Sequence, residues 1–496
     1  MNDTILVNGK SLPWLFVQRG FKIPSFNFEI KTDAVNGRAG SVFKSRGLSE
    51  YRFDLPLVIH NDFLSHSGIK SHDDVLSELV KFFDYDEVVK LQLKSKKWYW
   101  NAYFEGPFEI NNKTENNINV VTVKVVLTDP YKYAIDGNQN TAISDAVSVV
   151  NSGTADTPII VEARALQNSN YYMISKGDED YFMIGDDDLD KPLKDYSPLI
   201  LEDESQTLSG WNKQSTIDFT DNQTGGKVGG SFIVSDSKQS FYLNNDSVSG
   251  NGWNGAMYKR SFSKQAQDFT TTVKFGINQK NKGAVRFAQY IYDSDNRVIA
   301  SIGYTNPNAK QAIGTIIVTL FDQSGNQQTV YKYKNNPSLY KLDSFVVYIR
   351  LTRKDDVFTV KSWKYKEFPY PLRKKAFDEH ERQFVDGGNF YKRPVVALAL
   401  YSAKNGNNNV MPLYIFGTYT RELLTRPTNA RDMIIKKGDL ITIDMATKNV
   451  LVNEESFLSE KTFGSNYFNV DKGHTELVIN PPGIFDTTVK WQDRFL

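Results

Sequence analysis

The stretch VVNSGTADTPIIVEARA (Val149–Ala165) reads as a strand, a glycine turn and, after Pro158, a second strand. β-Branched and apolar residues on both sides of a Gly-containing break suit two strands. A second piece, GDLITIDMATKNVLVN (Gly438–Asn453), is another strand–turn–strand hairpin, and VKWQDRFL (Val489–Leu496) reads as a final strand. Between these blocks, from about Ser205 to Thr420, the texture changes to Gln, Asn, Ser and Gly with long alternating strands. The two ends read as one protein and the middle as another. An insertion of about 215 residues with so many strands needs a core of its own rather than being a loop.

Working outward, most of the chain reads as strands separated by tight turns. Tyr51–Ile59, Lys97–Glu105, Asn119–Leu127, Thr271–Ile277, Ala284–Tyr292 and Phe345–Leu351 are examples. Asn-Gly and Asp-Gly pairs at Asn8-Gly9, Asn36-Gly37, Asp136-Gly137, Asn251-Gly252 and Asn254-Gly255 supply the positive φ angles that hairpins need. One helix is predicted: Ser71 as N-cap, Asp73 and Asp74 in the first turn, then Val75, Leu76, Leu79, Phe82 and Phe83 at helical spacing. The expected fold class is mainly β. It comprises a β-rich N-terminal domain with one helix, over 1–134, and a β-sandwich in two parts, 146–204 and 421–496. A further sandwich over 205–420 interrupts the second.

Composition narrows the function. The length of 496 residues allows roughly three domains. A net charge of +1 gives no footprint for nucleic acid. The absence of cysteine excludes disulfides and thiolate metal sites. No apolar run reaches membrane-spanning length, and MNDTILVNGKSL lacks the features of a signal peptide. The expectation is synthesis in a reducing compartment without Sec export or membrane insertion. The 26 Tyr, 32 Phe and 7 Trp suit interfaces and sugar-facing surfaces as well as β-rich cores.

Motifs of chemistry are weak. His60, His66 and His72 lie near Asp62, Asp73 and Asp74, but six-residue spacing fits no usual metal pattern, so no metal and no cofactor is expected. DDDLD (Asp186–Asp190) lacks the Gly and Glu of a calcium loop and reads as a solvated tip. YDSDNR (Tyr292–Arg297) and FDQSGNQ (Phe321–Gln327) read as hairpin tips. GGKVGG (Gly225–Gly230) has Val228 where a phosphate loop needs Ser or Thr, and reads as a bend or a close backbone approach. HERQF at His380 fails the zinc-protease pattern, and no nucleophile elbow exists. Asp293, Asp295, Asp378 and Glu379 supply carboxylates without singling out a glycosidase pair. No enzyme activity is expected.

The insert carries the better signal. Trp211, Trp253, Tyr258, Tyr290, Tyr292, Trp363 and Tyr401 are spread among polar neighbours. Aromatic faces stack on the C–H faces of sugars while amides and Arg hold hydroxyls. Trp253, Tyr258, Tyr290, Tyr292 and Trp363 are the candidate saccharide-binding residues. Along Ala284–Tyr292, Ala288, Tyr290 and Tyr292 share one sheet face and Val285, Phe287, Gln289 and Ile291 the other. The second set looks like a core face, with Gln289 its exception.

Met1–Ala165 and Arg421–Leu496 together resemble the distal tail proteins of long, non-contractile-tailed phages infecting Gram-positive bacteria. The resemblance rests on ILVNG (Ile5–Gly9), GRAGSVFKSRGLSEYRFDLPLVI (Gly37–Ile59), the helix after Ser71, and WYWNAYFEGPFEI (Trp98–Ile110). NSGTADTPIIVEA (Asn151–Ala163) and TTVKWQDRFL (Thr487–Leu496) complete it. It implies a homohexameric ring built from the N-terminal belt domain, with a galectin-like sandwich outside it. Such a ring joins the tail-tube protein to the tail-associated tip protein, and its place is the virion's distal tail tip. GWNGAMYKRSF (Gly252–Phe262) and the Ala284–Tyr304 hairpin resemble the jelly-roll, lectin-like carbohydrate-binding modules inserted in enlarged members of the family. The implied ligand is host cell-wall polysaccharide. A free-standing carbohydrate-binding protein, or a polysaccharide-degrading enzyme using carboxylates of the insert, are the alternatives.

Overall fold

The computed structural model describes residues 3–25, 28–60, 71–108, 110–113, 118–177, 179–188, 190–366 and 375–496. The N-terminal block forms a nine-stranded sheet, whose main path runs Ile5–Val7, Val89–Leu93, Trp98–Glu105, Ile118–Leu127, Tyr51–His60, Leu15–Val17. Strict alternation in Val89–Leu93 turns Val89, Leu91 and Leu93 inward. The α-helix His72–Phe83 covers this sheet with Val75, Leu79, Phe82 and Phe83. Its start is a capping box: Ser71 Oγ accepts from the Asp74 amide, and Asp74 accepts from the Ser71 amide.

One hairpin stands apart from this core. Phe28–Ala34 pairs with Ser41–Leu48 and, among the described residues, with no other strand. Gly37, of the expected Asn-Gly turn, has φ +82°. Ile30 and Phe43 on this hairpin are 62% and 63% exposed.

The second domain is built from both sides of the insert. Thr157–Ala165 lies between Phe485–Trp491 and Leu440–Asp444 in one sheet. Ala146–Asn151, Gly473–Asn480, Tyr171–Lys176 and Asp180–Gly185 form the other. Both sheets share one apolar core that includes Val161, Tyr172, Phe182, Ile443 and Val489. The hairpin expected at 438–453 is present as Leu440–Asp444 paired with Asn449–Val452. The last strand, Arg494–Phe495, leaves this sandwich and pairs with Lys132–Ala134 at the N-terminal sheet.

The insert is a jelly-roll-type sandwich of two eight-stranded sheets. Leu199–Asp203 leads in and pairs antiparallel with Leu413–Glu422, which leads out, so the two crossing points are adjacent. Its core contains Val285, Phe287 and Ile291, as alternation predicts. Gln289, the exception, is fully buried and bridges the sheets: it donates to Thr271 Oγ1 at 2.9 Å and accepts from Thr418 Oγ1 at 2.7 Å. A buried amide with both ends satisfied avoids the desolvation cost that an unpaired one would carry.

Candidate functional site

One sheet of the insert, containing Trp253–Ala266, Val395–Asn405, Val285–Tyr292, Val298–Asn306 and Thr315–Phe321, turns its second face away from the core. Alanines at 288, 397, 399 and 403 alternate there with Tyr290, Tyr292 and Tyr401, leaving a shallow trough floored by small residues and walled by rings. The trough is filled by the chain itself. Phe219 sits edge-on to Tyr290 at 4.8 Å between centroids, with Tyr292 and Phe321 at 6.3 and 6.1 Å.

Asp221 anchors the filling segment. Its carboxylate accepts from Tyr290 Oη at 3.0 Å, Ser301 Oγ at 2.9 Å and Thr224 Oγ1 at 2.7 Å, and from the amides of Gln223 and Thr224. Burial first, then the charge of Asp221, pushes the Tyr290 phenol well above its ordinary range. Arg286 donates to the Gly225 carbonyl and lies over the Trp253 ring at 4.5 Å. Burial lowers the Arg286 guanidinium, and Asp221 opposes that. At Gly226 a Cβ would meet Tyr401 Oη at 2.5 Å and Trp253 at 2.7 Å, so the glycine run is a close backbone approach.

The structure therefore brings Trp253, Tyr290 and Tyr292 to one face, but covers the two tyrosines with residues 217–228, leaving Tyr290 1% exposed. Trp253 is half-buried. Tyr258 points the other way, into the sandwich core, and stacks on Phe232 at 5.1 Å. Trp363 is elsewhere again, on the second sheet, lying flat on Tyr348 at 4.9 Å and 4°.

The Tyr348–Trp363 pair faces the host domain. The turn after Asn449–Val452 carries Asn453 and Glu454 at positive φ and presents two carboxylates to the insert. Glu454 pairs with Lys274 at 3.3 Å and accepts from Tyr348 Oη. Glu455 accepts both guanidinium nitrogens of Arg350, one at 2.9 Å, and Lys361 Nζ at 3.0 Å. A cavity of about 350 Å³ opens beside this clamp, lined from the host side by Lys436 and Asp439 and from the insert side by Arg350 and Trp363. Exposed Glu202 lines it too. Its carboxyl is raised by desolvation and by Glu204, with Arg421 opposing and Asp439 adding.

Other candidates resolve as structure. Asp293 and Asp322 each accept amides of their own turns, as hairpin tips do. Asp186 and Asp188 pair with Lys191. His66 and Asp62 lie outside the described residues, and among those described no group of His, Asp and Glu is placed to hold a metal ion. Among the described residues no helix is long and apolar enough to cross a membrane.

Residues 430–495 match the family model of the siphovirus-type tail component, C-terminal domain. This block is similar to a phage tail-component domain. The expected kinship with distal tail proteins holds there, on the strands that sandwich Thr157–Ala165. No curated protein matches the chain. Among solved structures, the CBM2 module of the evolved Dit of Lactobacillus casei BL23 phage J-1 is 14% identical, with 47% of this chain and 99% of that one covered and a TM-score of 0.38. The SPP1 Dit, a hub of the adsorption apparatus in phages infecting Gram-positive bacteria, is 16% identical, with 38% and 75% covered and a TM-score of 0.31. A family 16 endo-glucanase of Bacteroides ovatus is 11% identical, with 44% and 99% covered and a TM-score of 0.30. Likenesses this distant carry no residue roles across to this chain.

Proposed function

We propose that this tail component is the hub of a siphovirus tail tip, a homohexameric ring joining the tail-tube protein to the tail-associated tip protein. In this reading its inserted jelly roll binds host cell-wall polysaccharide during adsorption. The observation that carries the reading is a tail-component sandwich whose strands flank Thr157–Ala165 from beyond a complete second sandwich. A module with its own core, entering and leaving on paired strands, adds a surface without disturbing the host domain.

The hairpin Phe28–Ala34/Ser41–Leu48 supports assembly. A β-ribbon with Ile30, Val42 and Phe43 exposed is an unfavourable surface for a monomer and a suitable arm for a neighbour. Head-to-tail contacts of this kind close into rings when the rotation allows. Six modules on one ring would convert weak single-site affinity into avidity. Of the five candidate aromatics, Trp253 alone is more than marginally solvent-exposed, so it is the one through which the trough face would meet a sugar.

Mass measurement of the purified full chain at micromolar concentration, with co-sedimentation on Gram-positive cell walls, tests both halves. A hexamer that sediments with walls is expected. A stable monomer overturns the ring, failure to sediment overturns the saccharide role, and shortening of the wall polysaccharide by the protein replaces it with an enzymatic one.

A further inference from the structure

Three loops of the insert meet at one end of its sandwich: 279–284, 307–314 and 406–412. Buried amide chemistry locks their bases. Asn306, fully buried, donates to the carbonyls of Gly283, Asn308 and Gln311 at 2.6, 3.0 and 2.9 Å, and accepts from the Ile313 amide at 3.0 Å. The Ala284 amide donates to Asn409 at 2.7 Å, and a Cβ on Gly283 would strike the Val410 and Met411 backbones at 2.3 Å. Loops tied this way are preorganised, so presenting a ligand surface costs little ordering entropy.

Their tips carry positive charge without partners. Lys280, Lys282 and Lys310 are exposed and line one open concavity of about 650 Å³ with Asn281 and Asn409. Among the described residues none of the three lysines has an ion-pair partner. Like charges gathered in a concavity repel one another and focus a field that an anion relieves. Val410 lines this concavity and also a neighbouring pocket of about 180 Å³, bordered by Tyr242 and Tyr414. These two rings are half-buried, 5.8 Å apart and inclined at 62°, and neither hydroxyl has a hydrogen-bond partner among the described residues. Half-exposed rings beside amide side chains and unsatisfied hydroxyls suit sugar rings.

We propose that this loop end is the saccharide site of the insert and that its ligand is an acidic polysaccharide. Sugar rings meet Tyr242 and Tyr414, while phosphodiester or carboxylate groups meet Lys280, Lys282 and Lys310. The proposal rests on the reading of the insert as a saccharide-binding module, and moves the site from the filled trough to the open loop end.

The test uses the full-length chain with four immobilised polymers: a glycerol-phosphate teichoic acid, polygalacturonate, a neutral β-glucan and duplex DNA. Retention on one or both acidic glycans is expected, weakening as salt rises, with the glucan and DNA held far less. Teichoic acid against polygalacturonate decides between phosphate and carboxylate. Replacing all three lysines by Glu should weaken acidic-glycan binding by about tenfold or more, since charge reversal repels the ligand as well as losing contacts. Tyr242→Ala should weaken it by about fivefold while leaving the salt dependence unchanged. Melting temperatures of both variants should match the wild type, because the lysines are exposed and Tyr242 is only half-buried. Wild-type binding unaffected by the lysine reversals would overturn this site and leave the saccharide reading standing. DNA held as tightly as the glycans would overturn the site as a mere polyanion surface. No binding to any polymer would overturn both.

Discussion

Glu455→Ala should loosen the insert from the tail-component domain, and the size of the effect follows from the clamp geometry. The Glu455 side chain is 15% exposed and accepts three N–H groups, two from Arg350 and one from Lys361. Charge-assisted hydrogen bonds contribute about 1.5–3 kcal/mol each when dry, but exposed pairs contribute only about 0.2–1 kcal/mol. Arg350 and Lys361 are 33% and 21% exposed, and water in the adjoining cavity can rehydrate them once Glu455 is gone. The loss should therefore fall near 2 kcal/mol, below the 3–5 kcal/mol, roughly, of a sealed buried pair. In a double-mutant cycle, Arg350→Ala with Glu455→Ala should show a coupling of about 1–2 kcal/mol. Native-state hydrogen exchange of Ser344–Lys354 and Asn449–Val452 reads the opening free energy on both sides of the contact. Both strands should lose protection together, and raised salt should shrink the coupling. Additive single effects, with coupling under about 0.3 kcal/mol, would show the clamp to be a contact without energetic weight.

The remaining predictions concern the filled trough, the cavity and the hairpin. Asp221→Ala strands the Tyr290 hydroxyl and leaves Ser301 Oγ only Thr224 Oγ1, so residues 217–228 should detach at a cost of about 2–4 kcal/mol, seen as a lower melting temperature and new protease sites in that segment. Unchanged stability would mean that the trough does not need its filling. Glu202 has a raised pKa in the fold, so its contribution is full below the ordinary carboxylate range and is lost as pH rises through its folded value. Glu202→Gln should therefore raise the melting temperature near about pH 7 and give no gain below about pH 4; equal gains at both would contradict the sign. Ile30→Ser with Phe43→Ser should dissolve the proposed ring without lowering the melting temperature of the monomer, because both side chains are already exposed. Light scattering that still reports a hexamer would remove the hairpin from the assembly contact.

What was legible in the sequence is what depends on near neighbours. Ser71 and Asp74 are three residues apart, and their capping box forms as the pattern demands. Along Ala284–Tyr292 the two faces separate as alternation dictates, and Gln289 turned out to be the polar bridge of a core rather than a break in it. Alternation says which residues share a face but not what lies on that face. Tyr290 and Tyr292 are covered by Phe219, about seventy residues earlier, from a stretch with almost no periodic signal. Trp363 looks like any aromatic among polar neighbours until the Glu454–Glu455 turn arrives roughly ninety residues later. Tyr242 and Tyr414 lie far apart in sequence and meet only because Phe241 pairs with Ile415.

These placements change how the insert relates to its host. Leu199–Asp203 paired with Leu413–Glu422 is a two-strand stem, and a stem alone would leave the module free to swing. The clamp adds a second attachment on inner strands of the same sheet, using Tyr348, Arg350 and Lys361, so two separated contacts fix one orientation. Orientation matters only where sites must act together. In a ring, avidity requires that every module present its binding end to the same surface at once. Trp363, one of the candidate saccharide-binding residues, lies flat on Tyr348 with Arg350 over its ring, so it packs at the clamp. If the proposed ring binds walls through the locked loops carrying Lys280, Lys282 and Lys310, the clamp variants should lose wall binding by the ring more than they lose binding by a single subunit. Equal losses in both formats would show that the clamp contributes stability and no orientation.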